Sequence, residues 1–169
     1  MGKRPGVRRR GRGGMQFRAA ATQKLKPAKY PSFSLDEERK GEIIDLVHES
    51  GRDVPLSKVR FEDGAISFIP APLGTKVGQR ISFGLNSEII DGNVISIQNI
   101  PDGTIVCNVE KQFGDGGSFI KTAGADATVF SHADDGVILK LASGKFKKLN
   151  PKNRAMIGTL AGGGVEDRP

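Results

Sequence analysis

Tryptophan is absent from this chain of 169 residues, which also holds one tyrosine, one cysteine and two histidines. Nine phenylalanines make up the rest of the aromatic content, so one large aromatic-rich core is not expected. A single cysteine, Cys107, rules out a disulfide framework within the chain, and with only His48 and His132 beside it a four-ligand zinc site has no ordinary ligand set. No metal and no cofactor are expected, and a reducing compartment is. No apolar run approaches the ~18 residues that span a bilayer, so no membrane partner is expected either. The Arg-rich start lacks the apolar segment of a secretory signal, and "RPGVRRRGRGG" is too rich in Pro and Gly for the amphipathic helix of a mitochondrial presequence.

Acidic residues are missing from the first thirty positions, where ten cations stand: Lys3, Arg4, Arg8, Arg9, Arg10, Arg12, Arg18, Lys24, Lys26 and Lys29. The chain as a whole is +7, yet beyond residue 30 sixteen basic residues face nineteen acidic ones, leaving a body of net −3. Solubility does not require such segregation; an arm that meets a polyanion does, and nucleic acid is the first candidate. Residues 1–34 have no hydrophobic period and many breakers, so they read as an extension that does not fold alone. The alternatives are a solvated tail or a segment that becomes ordered along a phosphate backbone.

What the chain has in abundance is glycine, 23 residues or about twice the usual share, and short strand-like runs between turns. "GEIIDLVHE", "LSKVRF", "AISFIPAP", "RISFG" and "NVISI" predict five antiparallel strands before residue 100. In "KVRFEDGAISFI" a two-residue turn at Asp63-Gly64 sets Phe61 opposite Ile66 and Val59 opposite Phe68, all four on one buried face. Acid outnumbers base eleven to seven over residues 36–92, so this half is not basic. "NIPDGT" at 99–104 reads as a boundary, and the strands beyond it recur at the spacing of a second small sandwich or barrel.

"GDGGSFIKTAG" at 114–124 fits neither a P-loop nor a dinucleotide fingerprint, because Phe119 stands where the last glycine belongs and a strand follows instead of a helix. It reads either as a loop whose Gly114, Gly116 and Gly117 bring backbone N–H groups to an outside anion, with Lys121 as a cation, or as a glycine-rich turn without a ligand. In "VILKLASGKFKKLNPKNR" a Ser143-Gly144 turn puts Leu141 opposite Phe146 in the core and Lys140 opposite Lys147 outside. Six basic residues (Lys140, Lys145, Lys147, Lys148, Lys152, Arg154) and no acid occupy 140–154, a face for phosphates or simply a solvated one. Neither histidine is tied to a nucleophile by a motif, Cys107 alternates with core residues, and no catalytic residue is assigned; the chain is not expected to be an enzyme or to take a small-molecule substrate.

"RRRGRGG" followed by "FRA", then "GNVISIQNIPDGTIVCNVE", "GDGGSFIKTAG" and "LASGKFKKLNPKNRAMIGTLAGGG" run in one order through nearly the whole chain. This series resembles the family of the second protein of the large ribosomal subunit, in its archaeal and eukaryotic form. Family stretches of the type N-I-P-x-G-T, P-G-x-G-G, S-A-G, L-P-S-G-E and C-R-A-T-I-G appear as Asn99–Thr104, Gly114–Gly117, Thr122–Gly124, Leu141–Lys145 and Asn153–Gly158, with Arg154 kept. The resemblance implies an all-β chain: a basic irregular extension over 1–34, an OB-fold barrel over 35–99, an SH3-like barrel over 100–165 and the start of a further extension at 166–169. It implies binding to large-subunit rRNA, contacts with neighbouring ribosomal proteins and the small subunit, and support for subunit assembly, subunit association, tRNA binding and the peptidyl transferase region, all in the cytoplasm. Arg52, Lys121 and Arg154 fall at basic positions of the family's motifs and are expected against RNA. The family continues after the second barrel with a basic, Gly- and His-rich extension. Here the sequence stops at "AGGGVEDRP", so a fragment or a shortened version is expected and no residue takes the role of that extension's histidine. A free translation factor or RNA chaperone is the rival expectation; for that, only Phe17, Tyr30 and Phe33 offer themselves as exposed stacking rings, too few for a platform.

Overall fold

The structure, a computed structural model, describes residues 2, 5–9, 17, 25, 27–32, 38–85, 87–133 and 135–165. Ten strands dominate it: β1 (Arg39–Val47), β2 (Leu56–Phe61), β3 (Ile66–Pro70), β4 (Arg80–Phe83), β5 (Val94–Ser96), β6 (Ile105–Cys107), β7 (Ala127–Ala133), β8 (Gly136–Leu141), β9 (Phe146–Leu149) and β10 (Arg154–Ile157). The chain is all-β as expected, and the first five strands fall on the five runs named from the sequence. They join in one continuous sheet, in the order β3-β2-β1-β4-β5-β10-β6-β7-β8-β9. All pairings are antiparallel except β4 with β5, which meet at Phe83 and Val94.

The last strand returns to the middle of this order, where β10 pairs with β5 on one side and β6 on the other. Strand residues alternate faces, so a strand between two cores must be apolar at every position. β10 obeys this after its first residue, the buried Arg154: Met156 belongs to the core of the first half, with Ile43, Val59, Phe61, Phe83 and Val94, while Ala155 and Ile157 belong to that of the second, with Ile95, Val106, Val129 and Leu139. β5 and β6 divide their residues in the same way, Val94 and Cys107 to the first core, Ile95 and Val106 to the second. Cys107 is thus a core residue, and burial pushes its thiol far up from the ordinary range. The three-residue helical turn Ile97–Asn99 links β5 to the turn before β6.

Both predicted hairpins form, but with a register one residue away from expectation. In the first, Gly64 N–H donates to Phe61 O and Phe61 N–H to Ala65 O, and Gly64 takes φ +80°. The loop therefore has three residues, a type I turn closed by a glycine bulge. Val59 stands opposite Ser67 and Lys58 opposite Phe68, so Ile66 and Phe68 do not share the face of Val59 and Phe61; Ile66 is exposed. The second hairpin repeats the geometry, with Gly144 N–H on Leu141 O, Leu141 N–H on Lys145 O and Gly144 at φ +77°. Lys140 consequently faces Phe146, and Lys147 faces Leu139. The expected opposition of Lys140 and Lys147 does not occur, and Phe146 is outside the core. The common cause is the glycine: it stands at the third loop position in both turns, where a left-handed residue closes a bulge and adds one residue to one strand.

Burial of identical chemistry at two places makes the register testable. Ile43→Ala, at a residue 1% exposed, should cost about 2–5 kcal/mol. Ile66→Ala, at 41% exposed, should cost less than about 1 kcal/mol. Urea unfolding of both variants checks this, and equal losses would restore the two-residue turn.

Candidate functional site

The glycine loop closes on the protein itself. Glu110, fully buried, follows β6, and a carboxylate removed from water needs several hydrogen bonds and a cation. It has them: Arg154 Nη2 at 2.6 Å, the Arg154 backbone N–H at 3.0 Å and the Gly116 N–H at 3.0 Å. The Arg154 guanidinium lies 5.5 Å from the Tyr30 ring centroid and 5.6 Å from that of Phe113, and donates to Pro31 O at 3.2 Å. Arg154 was expected against RNA; at 2% exposure it is instead the internal partner of Glu110, because β10 runs between the two cores.

A second carboxylate occupies the loop's own concavity. Asp115 accepts from the N–H groups of Lys111 and Gly117 and from Ser118 Oγ. Partial burial pushes its carboxyl up, and the hydrogen bonds from Ser118, Lys111, Gly117 and Gln112 outweigh this and hold it below its usual value. The N–H groups of Gly116 and Gly117 are therefore taken by Glu110 and Asp115, which corrects the expectation that they would reach an outside anion. The missing β-carbons serve the same closure. A Cβ on Gly116 would lie 2.8 Å from Lys29 Cβ, and one on Gly117 would lie 2.5 Å from Asn108 Oδ1, while Gly114 faces open space.

The segment admitted beside Gly116 is the end of the basic arm. Lys29 N–H donates to Phe68 O on β3, Tyr30 N–H to Gly116 O, and Tyr30 Oη to Asn108 O at 2.5 Å. Tyr30 is buried and cannot be a stacking ring, contrary to expectation; Phe17 is exposed. Lys121 Nζ, half-buried, donates to Ala28 O and Gly117 O, both at 2.9 Å, and so clamps arm to loop. Burial lowers its pKa, and the neighbouring charges of Arg52 and Lys29 lower it further against the opposing effect of Asp115. Arg52, ion-paired with Glu49, lines a small cleft with Lys121. Fold closure thus brings Lys29, Arg52 and Lys121 together.

The second basic group lies on the hairpin of β8 and β9. Lys140, Lys145, Lys147, Lys148 and Lys152 are exposed, and Lys148 pairs with Asp135. Two rings that the sequence reading did not place outside stand among them: Phe130 is 54% exposed and Phe146 56%. The signal for Phe130 was present, since Ala127 and Val129 alternate inward in "ATVF". Of the arm cations, Lys3, Arg4, Arg10, Arg12, Arg18, Lys24 and Lys26 lie outside the described residues, as do Phe33 and the side chains of Arg8 and Arg9 in the helical turn Gly6–Arg9. His132 Nδ1 sits 2.7 Å from Asp102 Oδ1 and Nε2 3.4 Å from Ile97 O, so both nitrogens face the protein's own groups. Among the described residues, no group of three His, Cys, Asp or Glu side chains is arranged to hold a metal ion.

An all-β chain of OB-like and SH3-like halves, sharing its central strands and clamped by a basic arm, is the class this geometry defines. The family model "Ribosomal Proteins L2, C-terminal domain" matches residues 90–169, a span that includes β5 together with its partner β10. The large ribosomal subunit protein uL2 of Cenarchaeum symbiosum is 70% identical over 169 residues, covering all of this chain and 70% of the relative. That of Nitrosopumilus maritimus is 70% identical over 170 residues, and that of Sulfolobus acidocaldarius 41% over 169, each with the same coverage. The chain belongs to the uL2 family of large-subunit ribosomal proteins.

Two substitutions test the internal reading of the loop and of Arg154. Arg154→Ala leaves Glu110 buried without its cation and should destabilise by about 3–5 kcal/mol in chemical denaturation without RNA; a loss below about 1 kcal/mol, as for a surface side chain, would return Arg154 to the interface. Gly114→Ala should cost only the left-handed strain of about 1–2 kcal/mol, whereas Gly117→Ala should add about 1–3 kcal/mol for the collision with Asn108. Equal melting-temperature losses in the two alanine variants would contradict the second expectation.

Proposed function

We propose that this chain is a structural, non-catalytic constituent of the cytoplasmic large ribosomal subunit that binds large-subunit rRNA. The reading extends to support for subunit assembly, subunit association, tRNA binding and the peptidyl transferase region, with neighbouring ribosomal proteins and the small subunit as further contacts. What carries it is the segregation of charge in a member of this family: ten cations and no acid in residues 1–30, ahead of a body of net −3. Phosphates meet the arm, the cluster of Lys29, Arg52 and Lys121, and the lysines of the β8–β9 hairpin. Arg154, Gly116 and Gly117 support these surfaces from inside.

Edge strands often carry lysines to discourage sheet extension, and β9 is an edge, so its lysines have a bland explanation as well. The arm has none. Counterion release separates the readings: if about half of the arm's cations meet phosphates, the arm should contribute about −3.5 to −4.5 to the slope of log affinity for large-subunit rRNA against log salt. Filter binding of the full chain and of a chain starting at residue 28 measures it. A slope near zero, or one unchanged by removal of the arm, would argue for another partner. Retention on the large subunit after a moderate salt wash distinguishes a permanent component from the rival, a free factor.

A further inference from the structure

Phe130 and Phe146 stand on the outer face of the second half, on the two strands that flank β8. β7 bulges between Val129 and Ser131, which leaves Phe130 as the extra residue. Phe146 is paired with Lys140, so both project on the side opposite to Leu139 and Val137. The two rings meet across β8 with centroids 4.9 Å apart and planes at 64°, an edge-to-face arrangement that fixes each against the other. More than half of each residue is nevertheless open, an expensive exposure for apolar rings on a face they share with Thr128, Ser131, Lys140, Lys148 and the half-buried Ile138.

We propose that this pair is a stacking platform for an unpaired nucleobase of the bound RNA, with Lys140 on an adjoining phosphate. The inference rests on the rRNA-binding reading and assigns it a second mode of contact, through π faces as well as charge. The occupant follows from what surrounds the rings. β7, β8 and β9 contain no acidic residue, and Asp135 is already paired with Lys148, so the patch is apolar within a positive field. A base with its phosphate matches both properties at once, since every base has a face to stack and every nucleotide a negative charge within reach. The rings are held in place before binding, which lowers the ordering cost.

The test is binding of the full chain to large-subunit rRNA by the variants F130L/F146L and F130Y/F146Y. Leucine keeps the apolar bulk and removes the π face, so affinity should fall about 5- to 150-fold for one stacked base. The salt slope should stay unchanged because no charge is altered. Tyrosine should retain affinity to within about threefold by the same logic. Wild-type affinity in the leucine variant would overturn the platform and leave the proposed function standing, while failure of the wild-type chain to bind rRNA at any salt would overturn both. Irradiation of subunits carrying 5-iodouridine rRNA gives a readout that does not depend on the variants folding. RNA adducts on peptides containing Phe130 or Phe146 support the platform. Protection of these rings by a neighbouring protein in the intact subunit overturns it.

Discussion

A carboxylate with no access to water organises this molecule. Glu110 is fully buried, and its charge is tolerable there only if it is surrounded by donors, three of which come from Arg154 and Gly116. Each donor carries a structural consequence. Arg154 must enter the interior at the start of β10, Gly116 must curl its N–H inward, and the guanidinium, once buried, needs the Pro31 carbonyl and the Tyr30 ring beside it. Strand, loop and arm are thus tied to one acid, and the left-handed backbone of Gly114, Gly116 and Gly117 is the geometry that lets the loop reach it.

The same closure decides which surfaces remain for a partner. A loop that looked ready to cradle an external phosphate already holds Glu110 and Asp115, two anions of its own, in N–H groups a ligand would need. Its role is therefore to seat the arm. Ala28 bridges to Phe68 on β3, covering the edge strand at one end of the sheet, and Lys121 fastens the arm to the loop. Clusters of cations form at the arm's point of entry and on the β8–β9 hairpin, whereas the exposed Lys40, Arg60, Lys76 and Arg80 are scattered through the first half, where acid is in surplus between residues 36 and 92. Charge is in this way sorted over the surface by the fold as well as along the chain.

Ile120 shows how strongly this region is determined. It has φ +56°, a conformation unfavourable for a β-branched residue, and it accepts the N–H of Asn108, itself at φ +45°. Such backbone persists only where surrounding contacts outweigh its cost, about 1–2 kcal/mol per residue. Here those contacts are the Glu110 cluster, the Tyr30 hydroxyl on Asn108 O and the Gly117 approach to the Asn108 side chain.

From the sequence alone came the all-β class, the positions of the strands apart from one expected after the glycine loop, where only the single bridge Val109–Phe119 forms, the core place of Cys107 and the separation of a basic arm from an acidic body. These depend on local alternation, turn residues and charge, which a chain displays without folding. The hairpin registers were nearly legible: the turns were found, but whether Gly64 and Gly144 close a loop of two or three residues depends on which ladder hydrogen bonds the whole sheet satisfies. Tertiary structure alone decided the rest. Arg154 and Lys140 are both cations on strands and differ only in what lies beside the strand, a second core in one case and water in the other. No local pattern reveals that Gly116 admits Lys29 or that Phe130 meets Phe146, because such pairings exist only after distant segments have been brought into contact.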